Sequence, residues 1–345
     1  MLLRPFCQKK SRKSSLLFFL LFTSIYSLSA FGEETFIKDV VDKKPKKIGR
    51  FDLENGFERT SLYTRYQIGG KMITRQGIGI SNFPISELKF PLNVFMFYLN
   101  MNINFLDYID IHCNVRKNIH NYVGKLKDTD WIPYPGFRTV YSESDARLNG
   151  IITDVDVIAR FFTVSFFTLK VGAGFMHQYL YYWCSNTKQI SIYTDTPPYI
   201  GPPQYMVIQG KVITYEIQYY ITTLQMALVF TFLGHLEIVT SVRFSPYLKA
   251  RDLDDHILRA KKSKSDAEGS AFMPFIRIRY LFDNRVFISA KLEYIDLKTR
   301  GEQTQSYYLP VKEANYIPGW YARLDVRHKS EQITVSLGAG YSFEF

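Results

Sequence analysis

Thr334-Val335-Ser336-Leu337-Gly338-Ala339-Gly340-Tyr341-Ser342-Phe343-Glu344-Phe345 closes the chain. Val335, Leu337, Ala339, Tyr341, Phe343 and Phe345 are apolar. Thr334, Ser336, Gly338, Gly340, Ser342 and Glu344, which alternate with them, are small or polar. A period of two is the signature of a β-strand, whose successive side chains point to opposite faces. Such a strand can close a soluble sandwich or a membrane barrel, and the rest of the chain decides between them.

At the other end, Arg4, Lys9, Lys10, Arg12 and Lys13 precede an apolar run, Leu16 to Leu28, followed by the small residues Ala30 and Gly32. This pattern reads as a secretion signal over residues 1–32, cleaved after Ala30 or Gly32. The run is too short to span a bilayer as a stable helix. Cys7 lies before it, so it does not read as a lipoprotein cysteine. The whole chain carries +11, and removing the five Lys/Arg of the signal leaves +6. With no concentrated basic stripe, nucleic-acid binding is excluded as a reading. Cys113 and Cys184 make one pair at most, which is no disulfide framework. The remainder has no apolar run long enough for a membrane helix, yet the chain holds 25 Tyr and 28 Phe. Secretion, aromatic wealth and a dyad-alternating last strand ending in Phe point to an all-β, antiparallel, transmembrane outer-membrane β-barrel.

Residues 33–59 mix Lys, Asp and Glu with little periodicity and read as a flexible periplasmic segment; the barrel is expected over 60–345. Candidate strands follow at Ser61–Gly70, Glu87–Phe105, Ile109–Lys117, Leu148–Phe161, 166–183, 211–232 and Glu237–Ser245. Ile276–Phe282 and Val286–Tyr294 form the clearest hairpin, turning at Asp283-Asn284-Arg285. The count is about ten strands. Long polar stretches near 118–147, 184–205, 253–270 and 299–318 alternate with short turns near 106–108, 163–165, 233–235 and 283–285. That asymmetry fits long extracellular loops and short periplasmic turns.

Two acidic clusters stand out. Asp128-Thr129-Asp130-Trp131 and Asp252-Leu253-Asp254-Asp255-His256 both follow upward strands and so share the extracellular rim. In an extended chain Asp252, Asp254 and His256 lie on one face. The lumenal positions of Glu237–Ser245 are odd-numbered, however, so a bulge near Pro246 is required to turn these even-numbered residues inward. An aspartate beside a histidine orients the ring and stabilises its charged form. Two more carboxylates close together disfavour double ionisation. Together they could hold and polarise a water for amide hydrolysis. A solvated acidic rim or a cation site would use the same residue types.

From about residue 60 onward the chain resembles the omptins, outer-membrane proteases on a ten-stranded barrel. The resemblance rests on Asp128-Thr129-Asp130-Trp131, on Asp252-Leu253-Asp254-Asp255-His256, on the Tyr341–Phe345 ending, and on their order and spacing. It implies an aspartic-type endopeptidase in which Asp128 and Asp130 form a catalytic couple and Asp254 and His256 a dyad, His256 serving as base. Asp252 would bind a basic substrate residue, so cleavage is expected near basic residues. The implied partners are surface polypeptides and outer-membrane lipids, with no metal or other cofactor. A dependence on a lipid such as lipopolysaccharide and a monomeric state are further expectations. Two features depart from the family pattern. Lys71 and Arg75 stand in Gly70–Gln76, where a second specificity acid belongs, and Tyr215-Glu216-Ile217-Gln218 lacks the lipid-binding cations. The competing reading is a non-enzymatic barrel, a porin-like channel or an adhesin.

Overall fold

The computed structural model describes residues 49–106, 108–131, 137–165, 167–193, 200–309 and 318–345. Residues 1–48, with the secretion signal expected over 1–32, lie outside the described residues. Thirteen strands form one antiparallel sheet: β1 (Gly49–Thr74), β2 (Gly77–Ile80), β3 (Ser86–Pro91), β4 (Val94–Phe105), β5 (Ile109–Asn118), β6 (Tyr122–Asp130), β7 (Val140–Val164), β8 (Phe167–Tyr193), β9 (Ile200–Phe232), β10 (Leu236–His256), β11 (Lys261–Leu281), β12 (Val286–Tyr307) and β13 (Gly319–Glu344). β1 pairs with both β4 and β13, from Arg50 opposite Glu344 to Thr74 opposite Ala322, so the sheet closes on itself. β3 and β4 are one stave interrupted once, as are β5 and β6, and β2 is a flap on β1. The closed sheet is therefore a barrel of ten staves, as the alternation of the sequence predicts.

Burial is inverted relative to a soluble protein. Along β4, Phe95, Phe97, Leu99 and Met101 are exposed while Tyr98 and Asn100 are buried; on β13, Leu337 is 65% exposed and Thr334 1%. A wall of exposed Phe, Leu, Ile and Val around a polar interior is what a lipid-facing barrel requires. Long uninterrupted ladders pair the backbone of that wall, as from Val286 opposite Tyr341 to Gln305 opposite Ala322, which a hydrocarbon surrounding demands. No helix among the described residues is long and apolar enough to cross a membrane.

The first strand corrects the sequence reading. Residues 49–59 are strand, not flexible segment, because their acids point into the barrel. Asp52 accepts from Arg279 at 2.7 Å, and Glu54 accepts from the Tyr98 hydroxyl at 2.7 Å. Acids alternating with Phe51, Leu53 and Phe57 resemble a solvated tail only until the lumen supplies their partners. The long polar stretches are likewise mostly strand: β10 and β11 meet through one short 3-10 turn, Ile257–Arg259. Cys113 and Cys184 are both free thiols.

The interior is filled in layers. Within the lipid-facing zone, Arg116 bonds Asp154 at 2.9 Å and Glu293 at 3.1 Å, and Arg243 bonds Glu293 at 2.5 Å. Buried charges persist only with such pairing. Further along the same strands lies an apolar plug that includes Phe90, Tyr182, Tyr215, Met176, Leu248 and Ile295. Phe90 stacks on Tyr215 with centroids 4.5 Å apart and planes 10° from parallel.

Candidate active site

Both acidic clusters come from strand ends at the same mouth of the barrel, beyond the plug. Asp128 and Asp130 close β6, which pairs with β3 and β7, and Asp252 to His256 close β10. On β10 the exposed apolar positions end at Tyr247. At roughly 3.3 Å per residue, Asp254 and His256 stand well clear of the lipid-facing zone.

The required bulge is present. Register slips between Ser245 and Leu248 against β11, and between Phe244 and Tyr247 against β9. Below it Ser241, Arg243 and Ser245 are buried; above it Leu248, Ala250, Asp252 and Asp254 are. The inserted residue moves the inward face from odd to even numbers.

Asp128, Asp130, Asp254 and His256 all line one cavity of about 610 Å³. His256 Nε2 lies 2.9 Å from Asp254 Oδ2, and the Tyr66 hydroxyl is 3.5 Å from that same oxygen. Burial, with Asp130 beside it, pushes the Asp128 carboxyl up to about 8. Burial also holds His256 below its ordinary value, against the opposing pull of Asp254. The couple therefore retains a proton near neutrality while the imidazole stays uncharged and basic. Arg259 and Lys261 line the cavity too, and neither has an ion-pair partner among the described residues. Lys261 is held below its usual value by burial and by neighbouring Arg259.

Asp252 is not where a substrate-facing acid should be. Its carboxylate is fully enclosed and does not line the cavity. Oδ2 lies 2.7 Å from His328 Nε2 and accepts from Tyr215 at 3.2 Å; Oδ1 accepts from Ser265 at 2.6 Å. Sequence reading missed His328, Tyr66, Arg259 and Lys261. His328 was within reach, since the even-numbered lumenal face of Thr334 and Ser336 extends back to it along β13.

An antiparallel ten-stave outer-membrane barrel with an Asp–Asp and Asp–His mouth is thus the class of protein in hand. The Omptin family model matches residues 81–343, and the chain belongs to the omptin family. Among solved structures, the chain is similar to the outer membrane protease OmpT from Escherichia coli, with a TM-score of 0.67 at 13% identity, covering 88% of this chain and 99% of that one. It is more distantly similar to the outer membrane protein OprG from Pseudomonas aeruginosa, with a TM-score of 0.36 at 8% identity, covering 88% of this chain and 100% of that one. No curated protein sequence matches the chain.

Proposed function

We propose that this chain is an outer-membrane endopeptidase that hydrolyses exposed polypeptides with a water activated between Asp128–Asp130 and Asp254–His256. One observation carries the reading: two clusters more than a hundred residues apart in sequence supply four side chains to a single cavity. In the proposed reaction, His256 directs Nε2–H at Asp254 and keeps the Nδ1 lone pair for the water's proton. The hydroxide so formed adds to the scissile carbonyl carbon. The proton retained by the Asp128–Asp130 couple faces the developing oxyanion, and the imidazolium then protonates the departing amine. All atoms come from peptide and water, so the step requires no redox partner.

In this reading the cavity mouth faces outward, because it lies at the end of the barrel opposite the short turns, which in such barrels are periplasmic. The chain works as a monomer in a lipid environment whose lipopolysaccharide requirement is tested by adding and omitting that lipid. The preference for basic residues rests on Asp252, and the enclosure of that carboxylate does not support it. The filled interior, a layer of ion pairs under an apolar plug, weighs against a porin-like channel. The test is digestion of a mixed peptide library by protein extracted from outer membranes in detergent, with products read by mass spectrometry. Cleavage that vanishes in His256→Ala is expected; an identical product pattern in wild type and His256→Ala would falsify the mechanism.

A further inference from the structure

We infer that His328 withdraws Asp252 from the substrate, and that the cavity accepts a large uncharged, apolar side chain next to the scissile bond rather than Arg or Lys. This rests on the proposed peptidase reading and names its substrate class.

The argument begins under the cavity floor. Asp252 and His328 are both completely enclosed and lie 2.7 Å apart, carboxylate oxygen to Nε2. The other ring nitrogen, Nδ1, is 2.9 Å from Thr299 Oγ1, which fixes the imidazole plane. With Ser265 and Tyr215 on the carboxylate as well, both of its oxygens are engaged inside the protein. An incoming cation would have to displace those partners and leave a buried imidazole and hydroxyls unpaired, a loss that sites built on internal hydrogen bonds resist.

Tyr66 supplies the floor itself. Its ring lines the cavity and packs on His328 with centroids 5.8 Å apart and planes 18° from parallel; the Tyr215 centroid is 5.6 Å away. Asp252, His328 and Tyr215 are therefore the layer beneath, and an aromatic face is what a substrate meets. The Tyr66 hydroxyl is held by Gln303 and directed at Asp254, so the ring does not swing aside without disturbing the dyad. Ile68, Ile85, Leu88 and Leu324 continue the apolar wall. Two cations, Arg259 and Lys261, border the same space and offset the charge of the carboxylates that an incoming cation would meet there.

A pocket of this composition gains from burying apolar surface and offers a guanidinium or ammonium no carboxylate beyond those assigned to the reacting water. Discrimination by such a pocket runs from about 10-fold to 200-fold.

The experiment is the peptide-library digestion with membrane-extracted protein, scored as the ratio of cleavage beside Phe, Leu, Met and Tyr to cleavage beside Arg and Lys. Wild type should favour the apolar set by about 10-fold or more. His328→Ala should lower that ratio about 10-fold by freeing Asp252. Asp252→Asn, which keeps the shape and can keep the hydrogen bonds, should leave the ratio within about 3-fold even if His328→Ala does not fold. Wild-type cleavage at basic residues equal to or above the apolar set overturns the inference while the peptidase reading stands. So does loss of basic cleavage in Asp252→Asn. Absence of any cleavage beyond the His256→Ala background overturns both.

Discussion

Ser245 and Leu248 both face the lumen and are fully buried, although an odd number of positions separates them on one strand. A regular strand would place them on opposite faces. The slip between them converts a strand whose lower half aims Arg243 at the ion-pair layer into one whose upper half aims Asp254 at the cavity. Pro246 lies within the irregularity, where the lost N–H removes no ladder bond.

Inserting one alanine between Leu248 and Lys249 should therefore reverse the alternation above the bulge and turn Asp254 and His256 outward. The expected outcome is a barrel that still shows heat-modifiable migration in gels while peptide hydrolysis falls by about 10³-fold, the combined loss of positioned base and acid. Retention of activity in the insertion variant would show that the alternation along β10 does not set the site.

His256→Ala removes the proposed base, and Asp128→Asn removes one member of the proposed couple. Each should cost about 10²–10⁴ in kcat with the heat-modifiable shift unchanged, because both residues border a cavity and not the apolar plug. A variant that lost the shift along with activity would report on folding instead, so the two measurements belong together.

The pH profile of kcat/KM should be bell-shaped. In the proposed mechanism His256 works as a base only when neutral, and burial holds its pKa below the ordinary 6.5. Activity thus rises with pH through a limb below that value. Asp128 keeps its proton until about 8, and above that the couple carries a second negative charge facing the developing oxyanion, so activity falls. Residual activity in Asp128→Asn should lack the alkaline limb; a limb unmoved in that variant would assign it to another group.

Inside the lipid-facing zone, Arg243 lies near both Glu293 and Asp156. Replacing it by Ala takes one of the cations from the buried carboxylates Glu293 and Asp156, and breaking a buried pair costs up to about 3–5 kcal/mol. The denaturant midpoint for loss of the heat-modifiable form should drop accordingly. Wild type in planar bilayers should show no steady conductance. Stable open channels would restore the porin reading.

Much of the barrel is legible in the sequence because lipid and lumen impose opposite polarity on adjacent residues. Ile276 to Tyr294 and Thr334 to Phe345 announce their strands in this way, and even the need for a bulge near Pro246 follows from counting parity. What stays hidden depends on partners distant in sequence. Asp52 and Glu54 read as tail residues until Arg279, Ser289 and Tyr98 meet them across the barrel. Asp252 reads as a free acid because its partner, His328, lies three strands further along the chain. Spacing places Asp128 and Asp254 on one rim, but a shared cavity is a property of closure and curvature, which no local pattern encodes.

The apolar plug beneath the cavity has a consequence for traffic. Phe90, Tyr182 and Tyr215 pack on one another across the bore, so among the described residues the cavity opens at the mouth and not through the plug. Whatever segment enters must double back through the opening it came by, which suits a loop laid across the mouth better than a strand end threaded inward. The fragments produced return to the side of the membrane from which the substrate arrived.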